Sequence, residues 1–326
     1  MKPSIKQPAH LLALIASVMI ATLASATELV APLQPVPAAR SSIATESPIL
    51  AATWAGSRVV SVGSNGVILL SDEKAKSFRQ AQSVPVSSTL TGVSFADSKN
   101  GWAVGHWGAI LATIDGGETW QVQRLDIKND RPLFAVHFFD SQRGVAVGLW
   151  SLVLVTQDGG KNWTERKISP KEQGLSDLNL INLFPDKNGG VFATAEQGRL
   201  LHSADSGNTW DYLNTGYEGS LWCGVQLIDG TLLVGGQRGT LLRSADGGQS
   251  WERIPLDSKS SITAIVANGL EVIVVGLDGL QKYSFDDGRT FNNVKTPSKE
   301  SLTAALFAEG DRWLMFSRHG VILQNQ

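Results

Sequence analysis

The chain has one cysteine, Cys223, and three tyrosines in 326 residues. A single cysteine excludes an intramolecular disulfide framework and any zinc or redox site of the CxxC kind. Surplus charge is missing too. There are 28 Lys and Arg against 30 Asp and Glu, a net charge of −2. Nucleic-acid backbones demand a basic excess, so they are excluded as the main partner. Long apolar runs are also scarce. The one such stretch, Leu11 to Leu23, follows Lys2 and Lys6 and precedes Ala24-Ser25-Ala26. That order reads as a signal peptide over residues 1–26, cleaved after Ala26. The run is shorter than the ~20 residues a helical span needs, so no membrane span is expected after cleavage. The expected location is the periplasm. Residues 27–48, with Pro32, Pro35, Pro37 and Pro48, read as an extended leader. Helical periodicity is sustained nowhere else.

Glycine and tryptophan are abundant, at 33 and 10 residues. They mark a repeat. Thr113-Ile114-Asp115-Gly116-Gly117-Glu118-Thr119-Trp120 returns as 156–163, 203–210 and 244–251, ending at Trp163, Trp210 and Trp251. A fifth copy, 284–291, ends in Phe291, and a decayed one runs from Ser71 to Phe78. The closing aromatics are spaced by 42, 43, 47, 41 and 40 residues. Each turn follows a short β-type run such as Gly108-Ala109-Ile110-Leu111. A seventh such run, Gly320 to Leu323, has no turn after it. One unit reads as four strands: 90–95, 101–104, 109–112 and 119–122. Four short strands per unit of this length predict an all-β, seven-bladed β-propeller of four-stranded antiparallel blades over residues 49–326. The seventh unit lacks an outer strand. The leader, at Leu29 to Leu33 or nearby, is expected to supply it and close the ring.

The repeated turn is an Asp box. Asp115, Asp158, Asp205, Asp246 and Asp286 are expected to accept backbone N–H bonds within their own turns. Trp120, Trp163, Trp210 and Trp251 are expected to pack beneath them. One or two carboxylates per turn fall far short of a calcium cage, so no metal and no cofactor is expected.

Function is sought instead in the turns between second and third strands, whose tips vary. They present Ser64-Asn65, His106-Trp107, Leu149-Trp150, Glu196-Gln197, Gln237-Arg238, Leu277-Asp278 and Arg318-His319, and should share one face near the axis. Exposed aromatics and arginines are typical anchors of a binding surface. Equally, Trp107 and Trp150 can cover gaps between blades while Arg238 and Arg318 stay solvated. Glu196 and Asp278 are a conceivable acid/base pair, and ordinary polar tips are the commoner use. His106 and His319 make a weak metal case without a third ligand. No residue is assigned a catalytic role. Sialidases share the box, but tyrosine, their nucleophile, is nearly absent here: of Tyr212, Tyr217 and Tyr283, Tyr212 falls in an outer strand and Tyr283 beside a box.

The strand Gly101-Trp102-Ala103-Val104-Gly105, then the Gly-x-Ile-Leu run, then the box, resembles the Ycf48/Hcf136 family of photosystem II stability and assembly factors. The same order returns at Gly144 to Gly148 before Thr156 to Trp163. The resemblance covers about Ile49 to Gln326. It implies an exported, non-enzymatic seven-bladed propeller that binds a protein partner, a membrane or envelope complex. Family copies often carry Arg just before the box. Here that slot holds Leu70, Ala112, Val155, His202, Arg243 and Tyr283. Two rival readings are a carbohydrate-active, sialidase-like hydrolase and an accessory component of an envelope transport system.

Overall fold

A computed structural model describes residues 34–72, 75–168, 177–294, 300–308 and 313–322. Seven antiparallel sheets follow one another within the unit Pro35–Gln326, six of four strands and the last of three among the described residues. In each blade the strands lie side by side in chain order. The innermost strands are Ile49–Ala55, Leu90–Phe95, Leu133–Phe138, Leu180–Pro185, Leu221–Gln226, Ile262–Asn268 and Leu302–Phe307.

The second strands explain why the sequence shows continuous apolar runs rather than alternation. Gly101–Gly105, Gly144–Gly148, Val191–Ala195 and Leu232–Gly236 are buried at every position, because neighbouring blades cover both faces. Both glycines of the Gly-Trp-Ala-Val-Gly strand are needed. A Cβ on Gly101 would lie 2.5 Å from the Phe95 ring, and one on Gly105 2.1 Å from the Thr89 carbonyl. The outermost strands are short and polar. Glu252–Arg253 and Asn292–Asn293 have two exposed residues each, which blunts the sheet edges.

The core is divided. Its buried apolar residues gather into seven clusters, one for each interface between neighbouring blades. The cluster that joins blade 7 to blade 1 unites Ile49, Val59 and Leu69 with Ala304, Leu314 and Phe316. Phe78, the aromatic of the decayed box, meets Phe316 edge-on at 6.1 Å. Trp54 Nε1 donates to the Phe307 carbonyl across the same seam at 3.1 Å. The ring is therefore closed.

Every innermost strand bulges at its second residue: Leu50, Thr91, Phe134, Ile181, Trp222, Thr263 and Thr303. Where that residue is threonine, its hydroxyl bridges to the next blade. Thr91 donates to the Leu133 carbonyl at 2.7 Å, Thr263 to Leu302 at 2.8 Å and Thr303 to Ile49 at 2.5 Å. The expected closing strand, Leu29 to Leu33, lies outside the described residues. The described leader forms no strand up to Pro48. It runs against blade 1, with Ala38 N bonded to the Val84 carbonyl at 3.0 Å, and makes a 3-10 turn at Ala44–Glu46 beside Gly320.

Candidate functional site

The five complete boxes share one bonding scheme. In blade 2 the Thr113 hydroxyl donates to Asp115 Oδ1 at 2.7 Å and accepts from Gly117 N at 3.0 Å. Asp115 in turn accepts from Thr119 N at 3.0 Å and from the Thr119 hydroxyl at 2.6 Å. Asp158, Asp205, Asp246 and Asp286 repeat it with Asn162, Thr209, Ser250 and Thr290. These bonds stabilise the ionised form. The N–H and side-chain amide of Asn162 hold Asp158 down at about 2, and the hydroxyl and N–H of Ser250 do the same for Asp246. At Asp286 burial pushes the pKa up and is outweighed by the Thr290 bonds, leaving it at about 2.

The box aromatic wedges against the preceding blade. Trp120 packs with Val60 and Leu70 of blade 1, and its Nε1 donates to the Gly117 carbonyl at 2.9 Å. Trp210 and Trp251 keep the equivalent bond at 3.0 and 3.1 Å. Trp163 departs from the pattern, its Nε1 lacking a partner. The neighbouring Gly159 carbonyl accepts instead from Trp102 Nε1 and Gln123 Nε2 of blade 2. Among the described residues no three His, Cys, Asp or Glu side chains are grouped to hold a metal.

The opposite face carries the variable tips. The tips of blades 1 to 6 bond back to the start of their own blade, as in His106 N to Thr89 O at 2.9 Å, Leu149 N to Pro132 O at 3.0 Å and Gln237 N to Ser220 O at 3.1 Å. The next residue is left-handed in six turns, with φ of 56° at Asn65, 62° at Trp107, 54° at Trp150, 55° at Gln197, 57° at Arg238 and 53° at Asp278. That conformation aims the N–H at the following blade. Trp150 N donates to Asn179 Oδ1, Arg238 N to Ser261 Oγ and Asp278 N to Ser301 Oγ. Asn and Asp tolerate this region, whereas a bulky side chain there costs roughly 1–2 kcal/mol. Blades 2 to 5 nevertheless place Trp107, Trp150, Gln197 and Arg238 there. The seventh turn, Arg318-His319, is a tighter hairpin closed by Gly320 at φ 98°.

The candidate residues share this face but do not converge on the axis. The axial channel, about 320 Å³, is lined by the innermost strands alone. The tips stand one strand further out, because they join the second strand to the third. Trp107 is half-buried and Trp150 is 55% exposed. Glu196 accepts from Asn179 N and Nδ2 at 3.0 and 3.1 Å, so one asparagine links the tips of blades 3 and 4. Asp278 accepts from the Ser260 hydroxyl at 3.2 Å, two blades away from Glu196. His319 Nδ1 lies 2.7 Å from Glu300 Oε2. His106 is exposed two blades from His319.

Three features escaped the sequence reading. The bulge ring at the channel mouth was hidden because its residues follow no single pattern: threonine in three blades, and Leu, Phe, Ile and Trp in the others. Tyr217, in the connection between blades 4 and 5, donates its hydroxyl to the Gln237 carbonyl at 3.1 Å and so supports the Arg238 turn. A groove of about 470 Å³ also opens beside Arg238, walled by Arg253 and the connection 254–259.

The model of the family described as photosynthesis system II assembly factor YCF48 matches the chain over residues 70–176 and 125–221. Over those residues, just under half of its length, the chain resembles that family. No curated protein matches its sequence. Among solved structures, YCF48 bound to D1 peptide is 21% identical, with a TM-score of 0.71 over 85% of this chain and 92% of that one. YCF48 from Cyanidioschyzon merolae is 15% identical, with a TM-score of 0.68 over 85% and 95%. At these identities the structural likeness concerns the fold. Among the described residues of this Ycf48-like chain, no helix is long and apolar enough to cross a membrane.

Proposed function

We propose that this chain is an exported, non-enzymatic scaffold that holds a polypeptide segment of a membrane-protein partner while a membrane or envelope complex is assembled, in the manner of photosystem II assembly factors. The match to the family model and the D1 peptide bound by a solved structure of the same fold support this reading. The observation that carries it is Trp150. It is a large apolar side chain, more than half exposed, kept where the backbone disfavours it. Strain of this kind is retained where a side chain serves a task. Trp107 occupies the same position one blade away, and Arg238 and Arg318 add charge to the face. Glu196 and Asp278 bond to their neighbours, a use that supports turn-holding rather than hydrolysis.

The test is capture of the partner from native membranes. Changing Trp107 and Trp150 together to Ala should abolish capture while the melting temperature holds. Loss of folded protein, or capture that persists, would overturn the assignment of this face.

A further inference from the structure

We infer that the axial channel is a binding site for a small, uncharged ring compound bearing a carboxamide, held by Asn182 and Trp222. This goes beyond the scaffold role and does not rest on it.

The first observation is room. The channel of about 320 Å³ is left open because the third residue of the innermost strand is small in six blades: Ala51, Gly92, Ala135, Cys223, Ala264 and Ala304. A cavity of this size takes one small molecule. In blade 4 the same position carries Asn182, the one amide side chain in the lining.

The second observation is which polar groups are already used. Thr91, Thr263 and Thr303 stand at the second position in blades 2, 6 and 7, and their hydroxyls bridge to the next blade. Across the ring, blades 3 to 5 carry Phe134, Ile181 and Trp222 at that position. There the Asn182 amide and the Trp222 indole N–H make no hydrogen bond among the described residues. One side of the mouth is therefore consumed by the frame. The other offers two aromatic side chains, with an unused amide one residue deeper on the blade between them.

The third is charge. No Asp, Glu, Lys, Arg or His side chain lines the channel. An ion entering it would shed water without gaining a counter-charge, so phosphates, carboxylates and amines are excluded. Asn182 offers both an acceptor and donors, whereas Trp222 offers a donor alone. Their complement is a carbonyl oxygen with N–H beside it, as in a carboxamide. Apolar walls would hold the body of such a ligand, and the few polar groups would fix its orientation. The mouth lies on the tip face, since the tips bond to the residues that precede the innermost strands.

The probe is cinnamamide, with cinnamate as its charged isostere. Each is titrated into the full chain by calorimetry and followed in a nitrogen–proton NMR spectrum of the tryptophan indoles. Cinnamamide should bind at one site with a Kd of about 1 mM or tighter, and cinnamate should not bind. The Trp222 indole signal, assigned by its loss in Trp222→Phe, should shift on binding. Asn182→Leu should weaken cinnamamide by about tenfold and melt no lower than the parent, because it replaces an amide without a partner by a side chain of similar size. Trp222→Phe keeps the ring, deletes the donor and should weaken binding by about fivefold, a second reading that does not depend on how the Asn182 variant folds. A channel that holds only water binds neither compound, and that result would overturn the inference. So would equal binding of cinnamate, a Trp222 signal that stays in place on binding, or unchanged affinity in both variants. Partner capture plays no part in this measurement, so its failure would leave the scaffold reading untouched.

Discussion

The two faces of the ring use repetition in opposite ways. On the box face the side chains repeat: a hydroxyl, an aspartate and a glycine bonded alike in blades 2 to 6, each followed by an aromatic. On the tip face the backbone repeats while the side chains diverge. A constant side-chain set consumes its own polar groups and leaves little for a partner. A constant backbone with free choice of side chain is a platform. The box face builds the ring, and the tip face is where one protein can differ from another.

The sharpest way to break this contrast is to damage one box. Trp120→Ala removes a side chain that is 3% exposed from between blades 1 and 2, and should cost about 3–5 kcal/mol in denaturant unfolding. A loss below about 1 kcal/mol would mean that the wedge is not what holds the blades together. Acid gives the next effect. The unfolded chain takes up the box protons below about pH 4, while Asp158, Asp246 and Asp286 hold theirs off to about 2, so stability should fall from pH 4 toward pH 2. His137 adds an earlier step. Burial pushes it down to about 4, the unfolded histidine protonates near 6.5, and its contribution is complete above 6.5 and lost as pH drops to 4. Melting curves across this range should show both declines, and His137→Gln should remove only the first. A single decline shared by both proteins would refute the assignment.

Smaller effects sharpen the comparison. Thr303→Val deletes the hydroxyl that bridges blade 7 to blade 1 and should cost about 1 kcal/mol, and Thr263→Val the same between blades 6 and 7. Unequal losses would show the seam to be special. Trp150→Asn should raise stability by up to about 1 kcal/mol while weakening partner capture. A fall in both would move Trp150 from the platform to the frame.

The architecture was legible because the box is local. Gly116, Gly117 and Trp120 meet the needs of one turn, so five copies spell out the blades. The seven-blade count, the strand positions to within one or two residues and the two-faced layout all followed from the spacing. The distance of the tips from the axis was not legible, since it depends on which strand is innermost. Nor was the use of Glu196, because Asn179, which binds it, lies 17 residues away in another strand's approach. The Arg238 groove joins residues from a tip, an edge and a connection, and no sequence period relates them. Leucines and valines at the seven interfaces were visible as apolar runs, but their partition into seven separate cores is a property of the circle.

That partition has a mechanical consequence. In an open stack of repeats the two end members face water on one side and need caps. In this circle every blade has two neighbours, and the cluster of Ile49 and Phe316 makes the last junction like the rest. No member is terminal, so none needs a polar outer cover. Prying out any one blade strips two oily flanks at once, which ties the fate of each wedge to that of the whole wheel.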